Sequence, residues 1–316
     1  MSEFLFFVAS VVFIYVAFYY GLVTGAKCRS SVVLKGKTAI VTGGNCGIGK
    51  STALDLAKRG ARVILACRDK RRAEAAVYDI RTESGNNQVV FMQLDLASLE
   101  SVCRFAETFL KTEPRLDILI NNAGVLGSGR TKDGFGMAFG VNHLGHFLLT
   151  KLLLERLQQC GSSRVVTVAA RLHCFGSIDF PLIDSEKDLV TGQSMCHTFK
   201  AYCNSKLCNV LFTRELSNRL EGTNVTCYCL HPGVIHTSLC RNFGLPHLLT
   251  PIAKLFLLDP NMGSQTTLYC ALCEGIEPFS GRYFANCSVQ QPSVKGQDDA
   301  LAQKLWEVSE RLISTS

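Results

Sequence analysis

The sequence predicts an α/β fold, a doubly wound parallel sheet in a single domain, carried behind an N-terminal membrane anchor. Three observations predict it. Short apolar runs that fit buried parallel strands alternate along the chain with stretches of helical periodicity. A glycine-rich turn, Val41-Thr42-Gly43-Gly44-Asn45-Cys46-Gly47-Ile48-Gly49-Lys50-Ser51, separates the first such run from the first helical stretch. A wholly uncharged segment, Phe4 to Ala26, precedes both.

Taken in order, the anchor comes first. Residues 1–26 are rich in Phe, Val, Ile and Tyr and long enough for the roughly 20 residues a spanning helix requires. Glu3 precedes the apolar run, whereas Lys27, Arg29, Lys35 and Lys37 follow it. Positive flanks stay cytoplasmic, so the domain is expected to face the cytosol. A cleaved signal peptide normally opens with a basic region, which is missing here. Residues 27–36 form a basic linker, and residues 37–316 the folded domain. Within the domain, strands are predicted at 38–42, 62–67, 88–94, 117–121, 164–169, 224–230 and 282–285, where apolar and β-branched residues crowd together. Helices are predicted at 48–59, 70–83, 98–112, 134–158, 199–220, 263–274 and 299–313 from their apolar periodicity. Strand-helix alternation of this kind is the signature of the doubly wound, Rossmann-type sheet. It places Gly43 to Gly49 in the first strand-to-helix turn.

Composition narrows the class. A chain of 316 residues with 47% hydrophobic content can bury a sizeable core. The net charge of +7 is spread along the chain without a basic block or interleaved aromatics, which argues against nucleic-acid binding. Fifteen cysteines are an odd count, scattered singly, with Cys270-Ala271-Leu272-Cys273 the one C-x-x-C. That pattern fits reduced thiols packed as small hydrophobes better than disulfides or zinc. His143 and His146 lack an evident third ligand, so no metal is expected.

The glycine turn satisfies two patterns at once. From Gly44 to Ser51 it fits G-x-x-x-x-G-K-[ST], the phosphate loop of NTPases, with Asp95 available as companion acid. From Thr42 to Gly49 it fits T-G-x-x-x-G-x-G, which brings a dinucleotide pyrophosphate onto a helix N-terminus. The segment Ala201-Tyr202-Cys203-Asn204-Ser205-Lys206 decides between them. On a helix, Tyr202 and Lys206 share one face, one turn apart. An ammonium beside a phenol lowers the phenol's pKa, ordinarily about 10, toward working pH, so the phenol can exchange a proton with a carbonyl or alcohol. Hydride-transfer chemistry uses that pair; phosphoryl transfer does not.

Further motifs surround the pair. Asn121-Asn122-Ala123-Gly124 follows an apolar run, Val141-Asn142-His143-Leu144-Gly145-His146 comes next, and His231-Pro232-Gly233-Val234-Ile235-His236-Thr237 lies downstream. In this order the pieces resemble the short-chain dehydrogenase/reductase family over residues 37 to about 290. Gly49-Lys50-Ser51-Thr52, Leu65-Ala66-Cys67-Arg68 and Leu94-Asp95-Leu96-Ala97-Ser98 are similar to its membrane-bound retinol-dehydrogenase branch.

The resemblance implies roles. Tyr202 becomes proton donor, Lys206 ribose ligand and electrostatic partner, and Asn142 part of a proton relay. Cofactor contacts fall on Gly43, Asn45, Gly47, Ile48, Gly49, Arg68, Asp95 at the adenine, Asn122, Tyr202, Lys206, Val234, and Thr237 at the nicotinamide carboxamide. NAD enzymes carry an acid at the end of the second strand, whereas an arginine there suits the NADP 2′-phosphate. Cys67 and Arg68 occupy those positions, so NADP(H) is the expected cofactor, with Asp69 one residue on as the contrary sign. Asp95 also suits a helix N-cap near Ala97. The apolar stretch Phe243 to Leu258 reads either as a substrate-covering lid or as an ordinary buried loop and helix.

One departure stands out. After Arg164-Val165-Val166-Thr167-Val168 the family has a serine that bonds the substrate oxygen, but this chain reads Ala169-Ala170-Arg171-Leu172-His173. Losing one such donor typically costs a factor of about 10² to 10³ in turnover. Ser177 or His173 would compensate if the following loop folds inward. Two classes follow: an NADP(H)-dependent oxidoreductase of a lipophilic, retinoid-like carbonyl or alcohol in an endoplasmic reticulum membrane, or a catalytically impaired nucleotide-binding protein serving as sensor or scaffold. An NTPase is a distant third. An oligomer is compatible with everything above.

Overall fold

The computed structural model describes residues 26–192, 194–233 and 259–314. Among them an eight-stranded sheet runs in the order β3-β2-β1-β4-β5-β6-β7-β8. Its strands are β1 (Thr38–Thr42), β2 (Arg62–Cys67), β3 (Val89–Gln93), β4 (Ile118–Asn121), β5 (Ser163–Val168), β6 (Val225–Leu230), β7 (Tyr283–Ala285) and β8 (Ser288–Gln290). All neighbouring pairs are parallel except β7 with β8, a hairpin at one edge. β8 escaped sequence reading because its three residues are exposed and carry no apolar run.

Apolar residues dominate the central strands because both faces of the sheet are covered. Every residue of β1 is buried. Its side chains alternate between two cores: Ile40 joins one cluster, Ala39 and Val41 the other. The first core is closed by helices α3 (Leu99–Thr112), α4 (Gly145–Gln159), α6 (Met195–Arg219) and α8 (Asp299–Ser314). On the opposite face lie α1 (Gly47–Lys58), α2 (Lys70–Ser84) and α7 (Gln265–Leu272). A short helix α5 (Phe180–Glu186), not foreseen, is started by the Asp179 carboxylate accepting from the Leu182 N–H and by Pro181 in its first turn.

One predicted helix is irregular. Instead of running unbroken over 134–158, the chain makes a brief helical turn Met137–Phe139, a π turn Gly140–Leu144, and only then α4. Crowding accounts for the small residues there: a Cβ on Gly140 would lie 2.3 Å from Thr131 Cγ2, and one on Gly145 2.8 Å from the Leu96 carbonyl oxygen. π turns insert one residue and re-aim side chains, a device found at functional sites.

The expected linker is docked on the domain over its described length. Arg59 donates to the carbonyls of Ser30 (2.7 Å) and Val32 (3.1 Å), and the Cys28 N–H donates to Gln265 Oε1 (3.1 Å). Among the described residues no helix is long and apolar enough to cross a membrane. The expected anchor, all but Ala26, lies outside the described residues, as do Val234, Thr237 and the Phe243 to Leu258 stretch.

Candidate active site

The strand order reverses between β1 and β4, and a crevice at the carboxyl ends of such strands is where ligands bind in doubly wound sheets. The glycine turn leaves β1 there. Gly43 and Gly47 adopt φ of +64° and +55°, a left-handed backbone that suits glycine. A Cβ on Gly49 would lie 2.5 Å from both the Gly43 carbonyl oxygen and Asn122 Nδ2, so only glycine lets α1 start this close to the turn. Asn122 in turn donates from Nδ2 to the Thr42 carbonyl (2.8 Å).

The start of α1 fits a pyrophosphate. Helices α2 and α3 are capped by the side chains of Asp69 and Ser98, but at α1 Cys46 makes no side-chain cap bond and the first turn holds no acid. The amides of Gly47, Ile48 and Gly49, beside Asn45, are thus available to an anion at the positive end of the helix dipole. The NTPase roles do not form. Lys50 is paired with Asp79 on α2 (2.5 Å), and Asp95 Oδ1 accepts from the Ala97 N–H (3.1 Å). That bond makes Asp95 a turn residue at the end of β3, while the cap of α3 proper is Ser98.

At the end of β2 the position where an acid would sit carries Cys67, whose thiol burial pushes up to about 12, so it stays neutral. Arg68 beside it is exposed. Asp69 is engaged as the N-cap of α2, accepting from the Arg72 N–H at 3.0 Å.

Helix α6 delivers the tyrosine-lysine pair. It starts earlier than expected because Ser194 caps it, accepting from the His197 N–H. Tyr202 is half-buried; Lys206 is buried, its amine 5.6 Å from the Tyr202 ring centre and donating to the Val168 carbonyl at 2.9 Å. Burial lowers the Lys206 pKa to about 8. The Asn121–Gly124 loop closes on the same spot: a Cβ on Gly124 would lie 3.4 Å from Lys206 Nζ and 3.6 Å from Asn142 Oδ1.

Asn142, in the π turn, is fully used as a brace. Its Oδ1 accepts from the Val125 N–H (2.8 Å), and its Nδ2 donates to the Val125 carbonyl (3.0 Å) and to Ser205 Oγ (2.9 Å). Ser205 Oγ then donates to the Tyr202 carbonyl (2.8 Å), linking the π turn to the catalytic helix. Ser205 escaped sequence reading because a serine inside a helix carries no signal of its own.

Ala170 lies just beyond β5, with no polar atom on its side chain. His173 does fold inward, but both ring nitrogens are committed: Nδ1 donates to the Ala170 carbonyl (2.8 Å) and Nε2 accepts from the Ser293 N–H (3.1 Å). It therefore braces position 170 and offers no donor to a substrate. The Ser177 N–H donates to Asn204 Oδ1 (2.9 Å). A cavity of about 250 Å³ is lined by Gly127, Met137, Asp188, Val190 and, from the first turns of α6, Thr198 and Ala201.

The two histidines of the π-turn region are buried and unprotonated. His143, its pKa lowered to about 3 by burial, packs among Phe139, Phe147 and Phe212 and bonds Ser309 Oγ (2.8 Å). His146, lowered to about 4, contacts Thr42 Oγ1 and the Asn142 carbonyl. Among the described residues no cluster of three or more His, Cys, Asp or Glu is arranged to hold a metal.

A parallel sheet with a glycine turn at its switch point and a Tyr-x-x-x-Lys helix facing that turn defines a dinucleotide-binding oxidoreductase. Residues 37–180 match the short chain dehydrogenase pattern. Dehydrogenase/reductase SDR family member 13 of Homo sapiens is 54% identical over 94% of this chain and 78% of its own length. Retinol dehydrogenase 12 of Homo sapiens is 48% identical over 92% of this chain and 90% of its own. A crystal structure of an uncharacterised protein from Mycobacterium Paratuberculosis superposes with a TM-score of 0.73 at 35% identity, covering 92% of this chain and 98% of that one. The chain belongs to the short-chain dehydrogenase/reductase family and is an oxidoreductase of its retinol-dehydrogenase-like branch.

Proposed function

We propose that this protein is a membrane-anchored, NADP(H)-dependent oxidoreductase of a lipophilic carbonyl or alcohol, with a retinoid the favoured substrate. The observation that carries the reading is the buried Lys206 amine beside Tyr202, at the mouth of the crevice where Gly43, Gly47 and Gly49 leave β1. Bound NADPH supplies the hydride that adds to a carbonyl carbon, and NADP⁺ accepts it in reverse. Tyr202 gives its phenolic proton to the oxygen of that carbonyl, and the Lys206 ammonium lowers the cost of the phenolate left behind. Lys206 would also hold the ribose of the bound cofactor, Asp95 would hold its adenine, and Asn122 would be a further contact. The Asn142 side chain holds that geometry through Val125 and Ser205, and the proton relay is assigned to the same residue.

NADP(H) over NAD(H) rests on the exposed Arg68, the neutral Cys67 and an Asp69 already spent on capping α2. The retinoid preference rests on relatives named as retinol dehydrogenases. Residues 1–26 supply the anchor, in an endoplasmic reticulum membrane with the domain toward the cytosol. The alternative of an inert sensor or scaffold draws no support from relatives that are named as dehydrogenases. The deciding experiment is NADPH consumption by the full-length protein in detergent against retinoids, steroids and fatty aldehydes, with Tyr202→Phe as control. Turnover by wild type and its loss in Tyr202→Phe, with NADPH affinity nearly intact, is expected. Activity that survives the substitution refutes the mechanism, and a wild type inert across the panel refutes the enzymatic reading.

A further inference from the structure

His146 is buried, and both of its ring nitrogens reach parts of the site that come from different elements. Nδ1 lies 3.2 Å from the Asn142 carbonyl oxygen in the π turn. Nε2 lies 2.9 Å from Thr42 Oγ1 at the end of β1. A carbonyl only accepts, so Nδ1 carries the proton and Nε2 is left as acceptor. Thr42 must therefore spend its single hydroxyl proton on His146 Nε2. The Thr42 oxygen then accepts two backbone N–H groups, from Asn122 and Ala123, each at 2.9 Å. Another carbonyl within reach of that hydroxyl, Ile120, is farther away at 3.3 Å. Every polar atom in this chain of contacts is satisfied in one tautomer only.

We infer that His146 is a positioning residue for the cofactor. It orients the Thr42 hydroxyl so that its lone pairs hold the Asn122–Ala123 loop, and it ties that loop to the π turn bearing Asn142. The inference rests on the proposed NADP(H) site but not on turnover. Burial of a ring with two opposed hydrogen bonds is not what packing alone demands, since the neighbouring His143 fills its aromatic surroundings with one ring nitrogen unpartnered. The Ala123 N–H has Thr42 Oγ1 as its acceptor and the Asn122 N–H shares it with the Ile120 carbonyl (3.0 Å), so a hydroxyl proton turned toward either amide would take that acceptor away.

The test measures NADPH affinity by fluorescence titration on the full-length protein in detergent, with melting temperatures recorded alongside. The variants are His146→Phe, His146→Gln, Thr42→Val and the Phe–Val double variant. His146→Phe and Thr42→Val are each expected to weaken NADPH about tenfold, and the double variant no more than about tenfold, because one shared link is cut. His146→Gln, which keeps a donor and an acceptor, is expected to stay within about threefold of wild type. Should His146→Phe fail to fold, His146→Gln with and without Thr42→Val carries the same comparison, since Gln is expected to lose its benefit once Thr42 is Val. Losses that multiply to about a hundredfold, or a His146→Phe protein that binds NADPH as wild type does, overturn the inference. A wild type that binds NADPH but turns nothing over defeats the enzymatic reading and leaves this one standing. A wild type that does not bind NADPH defeats both.

Discussion

Lys206 is held at a cost that the structure makes measurable. Its amine is buried and donates to the Val168 carbonyl oxygen; burial disfavours the charged form, and the pKa falls from 10.5 to about 8. That difference corresponds to about 3 kcal/mol, at about 1.4 kcal/mol per tenfold. Between the two values the unfolded chain holds more protons than the folded one, so this contribution makes stability rise with pH from about 8 to 10.5, and the full penalty is present below about 8. Lys206→Met keeps the stem and removes the charge. It loses one hydrogen bond, worth about 1 kcal/mol, but the Val168 carbonyl keeps Asn209 Nδ2 as a donor at 3.4 Å. The substituted protein without cofactor should therefore be more stable than wild type by about 2 kcal/mol at pH 7, and about 1 kcal/mol less stable near pH 10.5. Buried thiols such as Cys208 and Cys227 have pKa values raised above 9.0, so both proteins lose stability at high pH; comparing the two cancels that loss. Urea unfolding of the full-length chain in detergent, followed by tryptophan fluorescence of Trp306, provides the assay. A stability difference that does not change between pH 7 and pH 10.5 refutes the reasoning.

Arg68→Glu should weaken NADPH by about 1–3 kcal/mol, the range of a lost charge-assisted bond, while sparing NADH; equal NADPH affinities in a fluorescence titration contradict the cofactor assignment. Ala170→Ser should raise turnover by up to about 10²-fold by restoring a donor at the end of β5, and unchanged kcat on the best substrate of the panel shows that the site does without one. Asn224-Val225-Thr226 and Asn286-Cys287-Ser288 are glycosylation acceptor sequences that a cytosolic domain leaves bare. Endoglycosidase-sensitive mass on either asparagine reverses the orientation argued from Lys27 and Arg29.

Much of this molecule is decided by short-range pattern. Strands β1 and β2 and helices α2 and α3 lie within a residue of where apolar runs and periodicity place them, because a strand buried on both faces and a helix with one apolar stripe write their burial directly into the sequence. The Tyr202–Lys206 pair and the glycine turn were legible for the same reason: each is a local spacing whose geometry a helix or a tight turn fixes. The exposed three-residue β8 wrote no such record, and α5, at seven residues, is too short to display a helical period, so both were invisible.

Only the tertiary structure decided what touches what across the crevice. Lys50 and Asp95 fit an NTPase by spacing alone, and pairing with Asp79 on α2 and the turn at Ala97 removed that reading. The turn sequence could not show that His173 is consumed in bracing Ala170 and Ser293, nor that Asn142 spends its whole amide on Val125 and Ser205. His146 and Thr42 stand 104 positions apart and meet at 2.9 Å because β1 and the start of α4 converge on one end of the sheet. Hydrogen bonds of that kind are short in space and long in sequence, and a linear pattern holds no trace of which partner each buried donor will find.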